Sequence, residues 1–349
     1  MSKMQESRAL GLEFWNDSCD LDHLQEAIDA GAVGATCNPV IVFQATSRKK
    51  EVWSQVLRSY LETNPQATED EASWFLIKDM GKKAAQLLRP IFDKSEGRQG
   101  RLSLQVEPCL FPSAERMLKQ AFELADLAPN ITIKIPSTDA GITVMEELNA
   151  HGISVNATVS FSVSQALASA EAIERGCQRA KVEGKLQKHH CSYVTIMVGR
   201  IEDYLRQCIQ DEKLSIDPVA PLWSGIAVFK EAHKLFSQKQ YSARLLSAAY
   251  RHQMHWTELL GPGIVQSIPY EFWKRFDRST HVPSLRLAEP VPEQWIRELE
   301  KIPAYKLVSQ ANAIGREDFV NMLPSRNTLN QFLNGQDDLR RWIRSLMLV

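Results

Sequence analysis

The sequence lacks the features that mark membrane, secreted and nucleic-acid-binding proteins. No apolar run approaches the roughly 20 residues that a membrane helix needs, and residues Met1 to Arg8 contain no apolar segment of a secretory signal. The six cysteines are scattered without a closely spaced pair, which favours reduced thiols over a disulfide framework. The formal net charge of -1 gives no indication of a surface for nucleic acid. We therefore expect a cytoplasmic protein that binds neither membrane nor nucleic acid.

The sequence also lacks a linker rich in Gly, Ser or Pro that would divide the chain, so we expect a single domain over residues 1–349. Short apolar segments alternate with amphipathic helical stretches, which predicts a parallel sheet. The eight predicted strands are Leu12–Asp17, Gly34–Asn38, Leu102–Glu107, Ile131–Ile135, Val155–Phe161, Tyr193–Val198, Arg244–Tyr250 and Gly263–Ile268. Eight repeats favour an α/β fold closed into a single (β/α)8 TIM barrel over an open sheet.

Further helices are expected between and after these repeats. The gap from Ser47 to Gly100 has room for two or three additional helices, and helical patterns at 293–301 and 327–346 predict that residues from about 285 to 349 pack on the barrel or cover its mouth. Three helices within the repeats are predicted to end at or near a glycine: residues 22–30 before Gly31, 140–150 near Gly152 and 162–175 at Gly176.

Polar and apolar residues alternate in three consecutive predicted strands. In Ile131–Ile135, Thr132 and Lys134 share the face opposite the three isoleucines. Because helices cover the outside of a parallel barrel, the polar faces should point inward. The other two polar faces are Ser103, Gln105 and Glu107, and Asn156, Thr158 and Ser160. Most barrel interiors are apolar, so three neighbouring polar strands predict a hydrated reaction site.

Lys134 is the residue with the most distinctive predicted environment. A charged, unpaired lysine inside a barrel would lose several kcal/mol of hydration. A lowered pKa would relieve this cost and produce a neutral amine, which forms Schiff bases with carbonyl compounds. A buried ion pair with Glu107 or Asp17 would relieve it equally well. The strand pattern alone leaves both interpretations open.

Five motifs, in order along residues 12 to 270, resemble those of the transaldolase family of class I Schiff-base aldolases. They are Phe14–Ser18 with Asp17, the G-x-T-x-N-P motif at Gly34–Pro39, Ile131–Thr138 followed by Gly141, Gly152–Thr158 followed by Phe161 and Ser162, and Val198–Arg200. The resemblance implies a metal-free and cofactor-free transferase of the pentose phosphate pathway. Its partners would be sugar phosphates, with sedoheptulose 7-phosphate or fructose 6-phosphate as donor.

The resemblance also implies catalytic roles. Lys134 would attack the ketose carbonyl, and Asp17 would take the proton of the C4 hydroxyl, so that the C3–C4 bond breaks. Thr158 would position a water for proton transfer. The dihydroxyacetone unit left on Lys134 as an enamine would then attack an aldose phosphate. Alternatively, Asp17 could cap the following helix.

Six residues are predicted to bind substrate: Thr36, Asn38, Asn156, Thr195, Arg200 and Arg251. The resemblance implies that Asn38 and Asn156 hydrogen-bond sugar hydroxyls and that Arg200 and Arg251 clamp the distal phosphate, for which a planar, permanently charged guanidinium is suited. Asn38 could instead serve the turn before Pro39, and the two arginines could form surface ion pairs.

The sequence departs from the family at three positions. Gln105, grouped here with the catalytic residues, stands where transaldolases usually carry Glu, and an amide cannot relay protons. The related fructose-6-phosphate aldolases have Gln there, which leaves open an aldolase-like cleavage or an altered sugar. Met197 replaces a common Phe, and Ala249 replaces a common phosphate-binding Ser. A non-catalytic sugar-phosphate-binding homologue is the third possibility, although the presence of both Lys134 and Asp17 argues against it.

Three aromatic side chains near the predicted site carry weaker expectations. Trp15 shares a face with Asp17, but its bulk favours packing against helices, which would require a twist or bulge in the first strand. His252 and His255 are expected to cap a helix or face solvent. The expected oligomeric state is a monomer or a homodimer.

Overall fold

The computed structural model describes residues 2–348, in which eight parallel strands close into a barrel in sequence order. The strands are β1 (Glu13–Asn16), β2 (Gly34–Thr36), β3 (Arg101–Gln105), β4 (Ile131–Pro136), β5 (Val155–Thr158), β6 (Tyr193–Ile196), β7 (Arg244–Ser247) and β8 (Val265–Ile268). The predicted (β/α)8 TIM barrel is therefore confirmed, and all predicted strand starts agree within two residues.

Helices surround this barrel and add a layer after β2 and another at the carboxyl terminus. They are α1 (Lys3–Ala9), α2 (Leu21–Asp29), α3 (Pro39–Arg48), α4 (Lys50–Thr63), α5 (Glu69–Lys94), α6 (Ala114–Ala125), α7 (Asp139–Ala150), α8 (Val163–Val182), α9 (Val198–Asp211), α10 (Ala220–Lys239), α11 (Met254–Thr257), α12 (Tyr270–Asp277), α13 (Glu293–Glu300), α14 (Pro303–Ser309) and α15 (Leu323–Met347). Within residues 2–348, none of them has both the length and the apolar character required to cross a membrane.

Two of the three predicted helix ends at glycine are confirmed, and the third is wrong. Gly31 and Gly152 follow α2 and α7 with φ of +105° and +76°, the left-handed region that glycine adopts without strain. Gly176 instead lies inside α8, which continues to Val182. A Cβ at Gly176 would come 2.2 Å from the carbonyl oxygen of Glu146 in α7. This glycine therefore permits close packing of α7 on α8.

The barrel interior is layered along its axis. At the amino-terminal end, Arg244 and Glu13 form an ion pair with a nitrogen–oxygen distance of 2.6 Å. Above it lies an apolar layer in which Trp15 contacts Tyr193 edge-on, with ring centroids 4.8 Å apart. The expectation that Trp15 packs against helices is therefore wrong. Gly34 on the neighbouring strand leaves room for the indole, so β1 needs no bulge.

The C-terminal helix α15 packs across α3 and α5 and reaches the end of β3. Gln336 donates a hydrogen bond of 3.0 Å to Ser73 in α5. Arg340 pairs with Glu107 at 2.5 Å, and Trp74 Nε1 lies 3.3 Å from the same carboxylate. Glu107 therefore does not line the barrel interior, contrary to the sequence prediction. The strand ends at Gln105, and the alternation that assigned Glu107 to the interior face ends with it.

Candidate active site

Lys134 lies in the polar layer above Trp15, between two predicted site residues. It is paired in register with Gln105 on β3 and with Asn156 on β5. The side chain is buried and, within residues 2–348, forms no ion pair shorter than 4.0 Å. Burial lowers the pKa of Lys134, and the Asp17 carboxylate opposes that shift. The geometry thus favours an amine that loses its proton readily over a buried ion pair with Glu107 or Asp17.

Asp17 follows β1 at the carboxyl end of the barrel. Its backbone nitrogen donates to Ile268 on β8 at 3.0 Å, which holds this residue in the barrel wall. Its carboxylate accepts a hydrogen bond of 2.5 Å from Thr36, whose hydroxyl also lies 2.7 Å from that of Ser267. Burial raises the pKa of Asp17, against the opposing effect of Lys134. The cap of α2 is Asp20, so the alternative role of Asp17 as a helix cap is wrong.

Asn156 is held in one orientation by two hydroxyl groups. Its Oδ1 accepts a hydrogen bond of 2.7 Å from Thr195, and its Nδ2 donates one of 3.0 Å to Ser103. Thr195, predicted as a substrate-binding residue, thus lies in the polar layer but contacts Asn156. Because both amide atoms have partners, the Asn156 side chain is preorganised beside Lys134.

Several buried polar atoms around Lys134 have no hydrogen-bond partner among the described residues. They include Gln105 Oε1, Thr132 Oγ1 and Thr158 Oγ1. Buried polar atoms in folded proteins nearly always have partners. A ligand or water with its own donors and acceptors would satisfy these atoms, and the three strands that carry them adjoin one another.

Asn38 caps the helix that follows β2. Its Oδ1 accepts a hydrogen bond of 3.0 Å from the backbone nitrogen of Ile41, and Pro39 occupies the first turn of α3. Asn38 therefore has a local structural role, although it caps α3 rather than serving a turn before Pro39. The amide nitrogen of Asn38 donates to no other described residue.

Most of the chain matches a known protein family. Residues 14–339 match the family model described as transaldolase/fructose-6-phosphate aldolase. The chain belongs to this family. Transaldolase 1 of Streptomyces avermitilis is 28% identical over 259 residues, which cover 68% of each chain. Transaldolase 2 of the same organism is 30% identical over 271 residues, covering 71% of this chain and 72% of the relative. The transaldolase of Mycolicibacterium smegmatis is 28% identical over 290 residues, covering 75% and 77% respectively. The chain is thus an enzyme of the aldolase or transaldolase type.

Within this family framework, Arg200 and Arg251 lie close together at the carboxyl ends of β6 and β7. Burial, with the nearby charge of Arg251, lowers the pKa of Arg200 to about 10. Arg200 also hydrogen-bonds Gln331 of α15, while its Nε has no described partner. Arg251 pairs with Asp203 at 2.7 Å on the protein surface. The two arginines therefore lie close together, and among the described residues only Arg251 forms the surface ion pair that was the alternative.

Gly199 allows the two arginine-bearing segments to approach each other. A Cβ at Gly199 would lie 2.0 Å from the carbonyl oxygen of Ala249 and 2.7 Å from Cγ of Arg251. Ala249 itself has a φ of +63°, and its carbonyl oxygen accepts a hydrogen bond of 2.9 Å from Arg251. The segment after β7 is therefore tightly turned. Met197 immediately precedes α9 and is buried at the same end of the barrel.

A cluster of Glu202, His252 and His255 behind Arg251 is not predicted from the sequence. Their ligand atoms lie within 4.8 Å of one another, a spacing that could hold a metal ion. His255 Nδ1, however, accepts a hydrogen bond of 3.1 Å from the Arg251 backbone. The proton of a neutral His255 then lies on Nε2, the atom that would have to bind the metal. His255 is fully buried, so its expected solvent-facing role is wrong.

Proposed function

We propose that this protein transfers a dihydroxyacetone unit from a ketose phosphate to an aldose phosphate through a Schiff base on Lys134, in the pentose phosphate pathway. Sedoheptulose 7-phosphate and fructose 6-phosphate are the proposed donors. The observation that carries the proposal is a buried lysine with a lowered pKa beside a carboxylate with a raised pKa, inside a polar barrel layer. Groups whose environments shift their pKa values in this way are typical of acid–base and nucleophilic chemistry.

In the first half-reaction, neutral Lys134 attacks the C2 carbonyl, and loss of water gives an iminium ion. The Asp17 carboxylate accepts the proton of the C4 hydroxyl. The electrons of the C3–C4 bond then move toward the iminium nitrogen, so that an aldose leaves and an enamine remains. Fructose 6-phosphate would release glyceraldehyde 3-phosphate, and sedoheptulose 7-phosphate would release erythrose 4-phosphate. Attack of the enamine on a second aldose phosphate reverses these steps.

The remaining polar residues would orient the sugar and its protons. Asn156 would contact a substrate hydroxyl with the orientation that Thr195 and Ser103 fix. Thr158 and Gln105 would hold a water beside the Schiff base, since their buried oxygens have no described partner. Preorganised polar groups of this kind act without reorganising during the reaction.

At the carboxyl end of the barrel, Arg200 and Arg251 would bind the distal phosphate. Binding requires Arg251 to exchange its surface contact with Asp203 for phosphate oxygens. Such an exchange is energetically modest because a solvent-exposed ion pair contributes only about 0–1 kcal/mol. The Arg200 Nε without a described partner is a further donor for the same anion.

One observation favours a second candidate function, the cleavage of fructose 6-phosphate to free dihydroxyacetone. Gln105 is the register neighbour of Lys134, where a Glu could relay a proton through the bound water. An amide can orient that water but cannot accept or donate a proton at neutral pH. The residue at position 105 therefore decides whether the enamine is retained for transfer or is protonated and hydrolysed.

The Schiff base is tested by borohydride reduction in the presence of fructose 6-phosphate, followed by intact mass measurement and peptide mapping. We expect a stable dihydroxyacetone-sized adduct on Lys134 and no adduct in Lys134→Met. The same incubations are repeated with sedoheptulose 7-phosphate, so that a negative result does not depend on the use of one donor sugar. Absence of an adduct with either sugar would contradict the proposed chemistry and favour a ligand-binding homologue.

Acceptor dependence separates transfer from cleavage. With fructose 6-phosphate alone, a transferase should release little free dihydroxyacetone, and added erythrose 4-phosphate should yield sedoheptulose 7-phosphate. An aldolase should instead release dihydroxyacetone continuously without an acceptor. The variant Gln105→Glu provides a matched comparison, since a restored carboxyl group should increase transfer relative to cleavage.

A further inference from the structure

Two cysteine side chains meet directly behind the candidate active site. Cys19 lies between β1 and α2, and Cys37 lies between β2 and α3. Their Sγ atoms are 2.8 Å apart, and Cys19 Sγ is 3.3 Å from Met80 Sδ. Both thiols are buried, with residue exposures of 0% and 1%. Within residues 2–348 they are the only two cysteines whose sulfur atoms form a hydrogen bond with each other.

This arrangement requires little movement to become a covalent bond. The two sulfur atoms of a disulfide lie about 2.05 Å apart, so the thiols must approach by less than 1 Å. The adjoining backbone is fixed by the barrel. Asn16 and Ala35 are paired in register on neighbouring parallel strands, and the Cys37 nitrogen donates to Ser103 on the next strand at 2.9 Å. The two cysteines are therefore held side by side by the fold.

We propose that Cys19 and Cys37 are a modification site that forms a reversible intramolecular disulfide on reaction with a hydroperoxide. Hydrogen peroxide transfers one oxygen atom to the first thiol, which becomes a sulfenic acid, and water leaves. The second sulfur then attacks the sulfenic sulfur, the S–O bond breaks, and the hydroxyl group leaves with a proton as a second water. Two thiols and one peroxide thus give one disulfide and two waters. A small dithiol reverses the oxidation by thiol–disulfide exchange.

Burial limits how readily the two thiols react. Burial raises the pKa of the Cys19 thiol well above its usual value, and the neighbouring Cys37 adds to the shift. Because the thiolate is the reactive form, Cys19 is a slow nucleophile. Either sulfur can be oxidised first, and the other then resolves the sulfenic acid. Because both thiols are buried, we expect a slow reaction, on the order of the minutes to hours of uncatalysed disulfide rearrangement.

The bond would link two segments that carry predicted site residues. Cys37 stands between Thr36, which hydrogen-bonds Asp17, and Asn38, which begins α3. Cys19 follows Asp17 by two residues. A Cys19–Cys37 bond would therefore restrain both segments at the carboxyl end of the barrel. The bond and its detection do not depend on the reaction proposed for Lys134.

The sequence offers a clean assay for this disulfide. Trypsin has no cleavage site between Arg8 and Arg48, so one peptide, residues 9–48, contains both cysteines and no others. Full-length wild-type protein is incubated with hydrogen peroxide, unfolded, alkylated with iodoacetamide and digested without reduction. We expect this peptide to be unalkylated and two hydrogen atoms lighter. Further cleavage after Glu13 and Glu26 should leave the two cysteine-containing fragments joined, and they should separate only on addition of dithiothreitol.

Three variants, each with one cysteine replaced by serine, provide the controls. Cys109→Ser removes the exposed thiol and should leave the product unchanged. Cys19→Ser and Cys37→Ser should each abolish it, and the wild-type experiment remains decisive should either variant fail to fold. Full alkylation of both cysteines in the 9–48 peptide after peroxide treatment would overturn the proposal. Sulfinic or sulfonic acid in place of the disulfide would also overturn it, as would a disulfide yield equal to that of protein oxidised while unfolded in urea.

Discussion

A single methyl group added at Gly34 should test the packing of the barrel interior. A Cβ built at this position lies 2.4 Å from Cε2 of Trp15 and 2.6 Å from its Cδ2 and Nε1. The indole has little room to yield, because it is fully buried and contacts Tyr193 edge-on. Gly34→Ala must therefore displace Trp15 or bend the strand.

The expected cost follows from two opposing effects. Overpacking a close-packed core costs about 1–3 kcal/mol, whereas replacing a strand glycine by alanine gains roughly 0.5–1 kcal/mol of backbone entropy. The steric effect should dominate, since all three nearest atoms belong to one rigid ring. We expect the free energy of unfolding to fall by about 1–2 kcal/mol.

Urea unfolding followed by circular dichroism would measure this change. Gly81→Ala in α5 is the matched control, because its new Cβ meets only the flexible side chain of Leu104, whose nearest methyl group lies at 3.1 Å. The substitution also gains about 1 kcal/mol of helix propensity. Gly81→Ala should be neutral or stabilising. The double variant with Trp15→Phe should recover part of the Gly34→Ala loss, because phenylalanine lacks the five-membered ring. Equal stability of Gly34→Ala and the wild type, or strictly additive losses in the double variant, would refute this reasoning.

Three further predictions concern the candidate active site. Thr195→Val removes the hydroxyl that donates a hydrogen bond to Asn156. The loss of roughly 1.4 kcal/mol should lower kcat about tenfold, while borohydride trapping on Lys134 persists. An unchanged kcat would contradict this role. Asp203→Asn releases Arg251, so the KM for fructose 6-phosphate should fall about two- to fivefold, while the kinetics with unphosphorylated fructose stay constant. An equal change for both sugars would show that Arg251 does not bind the phosphate. Burial lowers the pKa of Lys134 from 10.5, and the reactive amine forms as the pH rises through this lowered pKa. The rate of borohydride trapping should therefore level off below pH 10.5. A rate that still rises above that pH would contradict the lowered pKa.

The barrel was predictable because its eight repeats carry redundant signals, but single residues depend on neighbours distant in sequence. Trp15 shows the limit most directly. Its alternation with Asp17 indicates the interior, whereas its size indicates the exterior, and only the register that brings Gly34 alongside resolves the conflict. Gly176 shows a similar ambiguity, because a glycine suits both a helix end and a close helix–helix contact. The carbonyl of Glu146 that decides between them lies on another helix.

The candidate site was predictable where it lies within strands and less so where it depends on loops. The alternation within each strand correctly places Lys134, Gln105 and Asn156 on the interior face. Their three strands are adjacent, which brings these residues together. Glu107 lies two residues beyond the end of β3, where Arg340 binds it from the far end of the chain. The cluster formed by Glu202 with the two histidines joins residues about 50 positions apart. The one feature of the sequence that could have indicated this cluster is the succession of β6 and β7, because the segments that follow neighbouring strands meet at the same end of the barrel.

The layered interior also bears on whether this barrel needs a ligand. Each buried polar atom left without a partner costs about 1–3 kcal/mol, and Gln105 Oε1, Thr132 Oγ1 and Thr158 Oγ1 are three such atoms around Lys134. A barrel selected only for stability would replace them with the branched apolar residues found in the layer below, where Leu246 and Val265 pack. Their polar character is therefore better explained by a hydrated layer that receives a ligand. Thr132 lies on the same strand as Lys134, and Gln105 and Thr158 lie on the two bordering strands. A ligand in this layer would therefore lie close to the amine, which favours a carbonyl substrate over a scaffold.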